Sequence, residues 1–307
     1  MTWPRRIVPG TTYLLTRRCT QRRFMLVPRG IVPKLFGYCV ALAAERHGIL
    51  VHAVTCMSNH WHAVVTDPHG RIPEFSRDVH SLSARALNAH LGRWEALWSS
   101  QRLSLVELVD APDVWDKLVY TLTNPVEAGL VARSPEWPGL RTRPVDLTRG
   151  ARIFKRPRTA FFRRSRLPRE VRLQLTVPAM LEPGDTHAFA QELQERVTAR
   201  EAAIREQMES AGRGFMGAHE VRRQRRDARP KTHELRRGRH PAVASRDRTR
   251  RLGALERLRR FRDAYRAALE RWQQHTGPVR FPEGTYKMRG YPGVVSDRAP
   301  PLSCQAA

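Results

Sequence analysis

Residues 49–66 read ILVHAVTCMSNHWHAVVT, and this stretch decides the fold. Two apolar, β-branched runs, 49–56 and 60–66, flank a short polar turn at Met57-Ser58-Asn59, the pattern of two neighbouring strands. In the second run His60 and His62 are separated by Trp61. Residues i and i+2 of a strand share a face, so the two imidazoles point the same way while the indole points into the opposite layer.

Outward from this pair, residues 11–20 (TTYLLTRRCT) read as a first strand. Residues 33–47 place Leu35, Cys39, Leu42 and Ala43 at helical spacing, with Gly48 as a stop. Residues 73–91 align Phe75, Val79, Leu82 and Ala86 along a second helix, and 103–108 (LSLVEL) read as a fourth strand. Asp110-Ala111-Pro112-Asp113 opens a third helix with an acidic cap and an early proline; Val114, Leu118 and Leu122 face its core, and Pro125 is expected to end or kink it before Gly129. The order β-α-β-β-α-β-α predicts an α+β fold of ferredoxin-like type, a four-stranded antiparallel sheet with helices on one side, with the third helix following it.

The second half reads differently. Residues 146–210 form a basic, helical extension with Phe154, Phe161 and Phe162 among arginines and a polar helix over 186–209. Residues 211–251 are dominated by Arg, Gly, Pro and His and are expected to be a disordered linker. Residues 252–307 resume helical spacing at Leu255, Leu258, Phe261, Tyr265, Leu269 and Trp272, then end in a tail containing Gly284-Thr285-Tyr286.

Charge separates the halves. The 307-residue chain has a net charge of +26, with 55 basic and 29 acidic side chains. Residues 1–150 carry 19 basic and 12 acidic groups, whereas 151–307 carry 36 and 17. Fifty of the 55 basic residues are arginine, whose planar fork suits phosphate, so a polyanionic partner is expected. Cys19, Cys39, Cys56 and Cys304 lie far apart, which excludes a Cys-x-x-Cys zinc knuckle and reads as reduced thiols in a cytoplasm. No apolar run approaches the ~18 residues of a membrane span, and the first residues lack the apolar core of a secretory signal.

The chemistry rests on four residues. His60 and His62 are either two metal ligands on one strand face or two half-buried imidazoles with local hydrogen bonds. Tyr120 and Asn124, at i and i+4 of the third helix, lie one above the other. They are either a phenol and an amide oxygen aimed at one point or a packed tyrosine and a helix-end asparagine. A free phenol has a pKa of about 10 and is a poor nucleophile at neutral pH. A divalent ion on the phosphodiester oxygens compensates, so that in-line attack by tyrosine gives a 5′-phosphotyrosine and a free 3′-OH.

Two longer motifs carry a resemblance. Residues 56–65 (CMSNHWHAVV) resemble the His-hydrophobic-His (HUH) strand of single-tyrosine transposases. Residues 118–131 (LVYTLTNPVEAGLV), followed by Glu136-Trp137-Pro138-Gly139, resemble the catalytic-helix signature of the same group. The REP-associated tyrosine transposases and their longer relatives are the subgroup most similar to residues 5–145. The resemblance implies Tyr120 as nucleophile, His60, His62 and Asn124 as holders of Mg²⁺ or Mn²⁺, and single-stranded or hairpin DNA as substrate. It leaves monomer or homodimer open, as it does a mobile element or a domesticated REP-hairpin endonuclease.

Arg17, Arg18, Arg22 and Arg23, at the end of the first strand, are DNA-contact candidates or a solvated basic edge. Trp94 and Trp98 either stack on unpaired bases or pack on the domain. Two other functions compete. A non-catalytic nucleic-acid binder on such a sheet needs an aromatic signature that this chain lacks. A water-using metal hydrolase needs a general base, and neither Glu45 nor Asp67 has a special claim to that role.

Overall fold

Strand β1 (Thr11–Arg18) lies at the centre of the sheet in the computed structural model, which describes residues 4–182, 184–231, 241–274 and 277–296. Helix α1 (Val32–His47) starts with Pro33 in its first turn and stops at Gly48, whose φ of 66° is the left-handed conformation that glycine adopts without strain. Strands β2 (Leu50–Cys56) and β3 (His60–Asp67) follow, joined by a turn in which Met57 N–H donates to the His60 carbonyl at 2.8 Å. Helix α2 (Ile72–Leu91), strand β4 (Ser104–Leu108) and helix α3 (Ala111–Glu127) complete the first half. β1 pairs antiparallel with both β3 and β4, and β2 pairs antiparallel with β3, so these four strands run β2-β3-β1-β4 across the sheet.

Three details differ from the sequence expectation. The sheet has a fifth strand, β7 (Val243–Ala244), parallel to β4, so it is mixed rather than wholly antiparallel. The helices do not share one side. α1 and α2 cover the Trp61 face, where Phe36 meets Trp61 edge-on at 5.3 Å, while α3 covers the His62 face, where Tyr120 meets His62 at 5.2 Å. Pro125 neither ends nor breaks α3; the helix runs to Glu127, and Gly129 at φ 66° turns the chain. Proline's fixed φ is itself helical, so the last turn continues past it, with the one bond from residue 125 to Thr121 missing.

The extension folds onto this frame. Strands β5 (Arg152–Lys155) and β6 (Glu170–Leu173) form a hairpin against α1, with Phe154 and Phe162 buried there. Tyr38 donates its hydroxyl to the Pro168 carbonyl at 2.7 Å. Helix α4 (Thr186–Ser210) lies on α3, where Phe189 stacks on Trp115 at 4.6 Å. Within 211–251, the described residues carry helix α5 (Ala218–Arg223) and β7, so that part of the expected linker is folded; 232–240 lie outside the described residues. Helix α6 (Arg248–Gln273) makes a small core of its own from Phe261, Tyr265, Phe281 and Met288, beside the short pair β8 (Val279–Arg280) and β9 (Val294–Val295). Gly284 then ties the tail to the start of the chain, its carbonyl accepting from Ile7 N–H at 2.9 Å.

Cys19, Cys39 and Cys56 are free and buried, and burial pushes their thiols up, which makes them inert; Cys304 lies outside the described residues. No helix among the described residues is long and apolar enough to cross a membrane.

The hairpin contact gives a stability test. A Cβ added at Gly37 of α1 would stand 2.1 Å from a Phe154 ring carbon. Helix propensity alone favours Gly37→Ala by about 1 kcal/mol. Overpacking costs about 1–3 kcal/mol and is expected to win. The urea midpoint should fall; a rise would mean that β5 and β6 do not press on α1 in solution.

Candidate active site

The site is built on the alternation of β3. In register, His60 faces Arg18, Trp61 faces Arg17 and His62 faces Thr16. Trp61 is fully buried on the α1/α2 side and donates its indole N–H to His80 Nε2 at 3.1 Å. The two flanking imidazoles consequently emerge together on the other side, with ring centroids 4.6 Å apart. Asn59 Oδ1 holds His60 Nδ1 at 2.6 Å, and Asn59 is itself anchored by donation from its Nδ2 to the Arg22 carbonyl at 3.2 Å.

His62 is buried, and burial, with the charges of His60 and Arg18, pushes its pKa well below the ordinary histidine value. It is therefore neutral, with one bare ring nitrogen. Thr16 Oγ1 lies 2.7 Å from Nδ1. With the proton on Nδ1 and donated to Thr16, Nε2 presents its lone pair, and that atom is buried without a hydrogen-bond partner.

Helix α3 brings the other half. Asp110 caps it by accepting from Asp113 N–H at 3.1 Å, and Leu118 and Leu122 fix its rotation by burial in the core. Tyr120 is half-buried, its ring under the Lys117 ammonium at 5.7 Å. Burial first, and the Glu127 carboxylate second, raise the phenol pKa; a hydrogen bond from the Asn124 side chain and the charge of Arg18 oppose them. Asn124 is buried, and its Oδ1 has no hydrogen-bond partner. Two unsatisfied acceptors, His62 Nε2 and Asn124 Oδ1, thus belong to the two residues that touch Tyr120. A buried acceptor left without a donor costs about 1–3 kcal/mol, and a cation satisfies it.

Among the described residues, no three His, Cys, Asp or Glu side chains gather into a metal-binding group. An ion here would rest on two imidazoles and an amide oxygen. That donor set suits a divalent ion and leaves open positions for phosphate oxygens or water.

A cleft of about 570 Å³ opens beside His62 and Tyr120, between β1, β4 and α3. Arg18 lines it on the histidine face. Arg17 lines it as well, although its Cα pairs with Trp61 in register, and its guanidinium donates to the Ser99 carbonyl at 2.7 Å and to that of Gln101. Arg22 and Arg23 belong to the turn after β1 and are not on the cleft wall, nor are His60 and Asn124. Trp98 packs against His80 and Phe36, whereas Trp94 is 90% exposed. Thr16 escaped the sequence reading because only strand register places it under His62. Lys117 could have been found, since it sits one turn before Tyr120 on the same face.

No protein-family profile matches the chain, and no curated protein matches it. Among solved structures, it is similar to a REP-associated tyrosine transposase bound to a REP hairpin, with 18% identity, 48% of this chain and 86% of that one covered, and a TM-score of 0.42. It is also similar to a Deinococcus radiodurans R1 protein named as a transposase, with 22% identity, 34% and 85% covered, and a TM-score of 0.28.

The cap of α3 carries a pH signature. Burial works to raise both carboxyls of the Asp110–Asp113 pair. The hydrogen bonds that Asp110 accepts, from Asp113 and Ser245 among others, hold it below the ordinary range, whereas burial with the bond and charge of Asp110 pushes Asp113 up to about 6. Between about 4 and about 6 the folded state keeps a proton that the unfolded chain has released. This pair therefore adds stability as pH falls through that window and loses it as pH rises. Asp113→Asn should flatten that slope, read as urea midpoints across the window; an unchanged slope would remove the pair as its source.

Proposed function

We propose that this protein is a DNA-strand transferase of the single-tyrosine HUH type, acting on single-stranded or hairpin DNA. The observation that carries the reading is the meeting of residues about 60 positions apart, His62 on β3 with Tyr120 and Asn124 on α3, around two buried acceptors that lack donors. The motifs that resemble the transposase signatures are the same segments that build this corner.

His60, His62 and Asn124 would hold Mg²⁺ or Mn²⁺. When bound, such an ion supplies positive charge to the non-bridging and leaving oxygens of the phosphodiester. The chain's own groups do the rest. Tyr120 Oη attacks phosphorus in line; a P–O bond to tyrosine forms and the bond to the 3′ oxygen breaks. The phenol loses its proton and the departing 3′ oxygen gains one, so no oxidant or nucleotide cofactor is consumed. Burial and Glu127 disfavour the phenolate, and the Asn124 side chain and the charge of Arg18 work against them. The phosphotyrosine retains the energy of the phosphodiester, and attack by another 3′-OH rejoins the strand.

Incubation with an end-labelled hairpin library and Mn²⁺, followed by denaturing electrophoresis, should reveal a covalent protein–DNA adduct. Tyr120→Phe should abolish it, and an adduct that survives that change would overturn the nucleophile assignment. Thr16→Val, which removes the hydrogen-bond partner of His62 Nδ1, should weaken Mn²⁺ binding by about 10–100-fold in a paramagnetic-resonance titration, as loss of such a supporting bond does elsewhere. Unchanged Mn²⁺ affinity in Thr16→Val, His60→Ala and His62→Ala would remove the metal from the site.

A further inference from the structure

The cleft beside Tyr120 is closed on one side by a segment from the far end of the chain. Residues Pro241, Val243 to Arg246 and Arg251 line it together with Thr16, Arg18, His62 and Tyr120. The segment is locked in place by three kinds of bond. β7 extends the sheet next to β4, and Glu107 N–H donates to the Ala242 carbonyl at 2.9 Å. Ser245 Oγ donates to Asp110 Oδ2 at 3.0 Å, and Arg246 N–H donates to Asp113 Oδ1 at 3.1 Å. The Arg246 guanidinium bridges to Asp116, 130 residues away in sequence, while its side chain stays 74% exposed. The segment thus grips the first turns of the helix that carries Tyr120.

We propose that residues 241–251 are one wall of a single-strand DNA channel, in which Arg246 and Arg251 hold backbone phosphates next to the bond that Tyr120 attacks. The inference rests on the DNA-strand transferase reading of the site and assigns part of its substrate binding to the second half of the chain.

Charge, reach and size support it. Arg18, Arg102, Lys117, Arg246 and Arg251 all line the cleft, whereas its acidic groups are engaged within the wall. Asp116 is paired with Lys117 at 2.8 Å and with Arg246, and Asp113 accepts from the Arg246 backbone. The net field is positive where a polyanion would pass, and arginine forks bind phosphate in two-point fashion. Asp113 and Tyr120 lie seven residues apart on α3, about 10 Å at helical rise, so a strand with its scissile phosphate at Tyr120 meets the arginine wall within a few nucleotides. A cleft of about 570 Å³ admits an unpaired nucleotide or two. Arg251 Nη1 donates to the Ser245 carbonyl at 3.1 Å, which aims its fork along the wall rather than away from it.

The test uses full-length protein with Tyr120→Phe as background, so that binding is read without cleavage. A fluorescent oligothymidine strand is titrated at several salt concentrations. Arg246→Gln with Arg251→Gln should weaken binding by about tenfold and lower the salt slope by about 1.4, the loss of two phosphate contacts on a single strand. Arg251→Gln alone leaves the Ser245 and Arg246 caps in place and should lower the slope by about 0.7. Arg259→Gln with Arg260→Gln removes equal charge from exposed positions of α6 outside the cleft and should change neither quantity much. Unchanged affinity and slope in the cleft variants would overturn the proposal, as would an equal loss in the α6 pair, which would make the effect one of bulk charge. The Tyr120-dependent adduct is a separate readout: if it forms while the cleft variants bind normally, the channel wall is wrong and the transferase reading stands.

Discussion

The two-residue period of β3 sets the position of everything that matters in the site. Trp61 occupies the core between the sheet and the α1/α2 layer, held by Phe36 and His80. A slip of one residue in register would turn this indole out of the core and bury both imidazoles on the wrong face. The energy that protects the register is hydrophobic, of the order of 2–3 kcal/mol for one large side chain. It is drawn from a face of the sheet opposite to the chemistry. The site therefore need not contribute to its own stability, and it visibly does not: His62 is kept neutral by burial, and two acceptors around Tyr120 have no donor.

The second constraint acts on α3. This helix has to present Tyr120 at one height and one rotation, and it is held from three directions. Leu118 and Leu122 seat it in the core, Trp115 stacks with Phe189 of α4, and the cluster of Asp110, Asp113, Ser245 and Arg246 fixes its first turn. Much of that clamp comes from beyond residue 180. The second half of the chain is accordingly part of the frame of the site and not only an electrostatic tail, despite its composition.

Much of the frame was legible from hydropathy and punctuation. Gly48, Gly129 and the Asp110–Pro112 start marked ends that the structure keeps, because capping and left-handed turns depend on local chemistry. His60, His62, Tyr120 and Asn124 were legible as two pairs through strand and helix periods. Other parts were not. β7 has two residues and no measurable alternation, and it sits in a segment rich in arginine, between Pro241-Ala242 and Ser245-Arg246. The β5–β6 hairpin turns its arginines outward and buries Phe154 and Val171, so its composition reads as basic before it reads as strand.

The amino-acid sequence by itself determined the strand pair around residues 49–66, the helix that carries Tyr120 and the two candidate pairs, His60 with His62 and Tyr120 with Asn124. These follow from interactions between residues within a turn or two of each other. Only the tertiary structure decided that α3 crosses the histidine face, that Thr16 supports His62 and that residues 241–251 wall the cleft. Those facts depend on which distant surfaces bury each other, and no local period records a contact made across 130 residues.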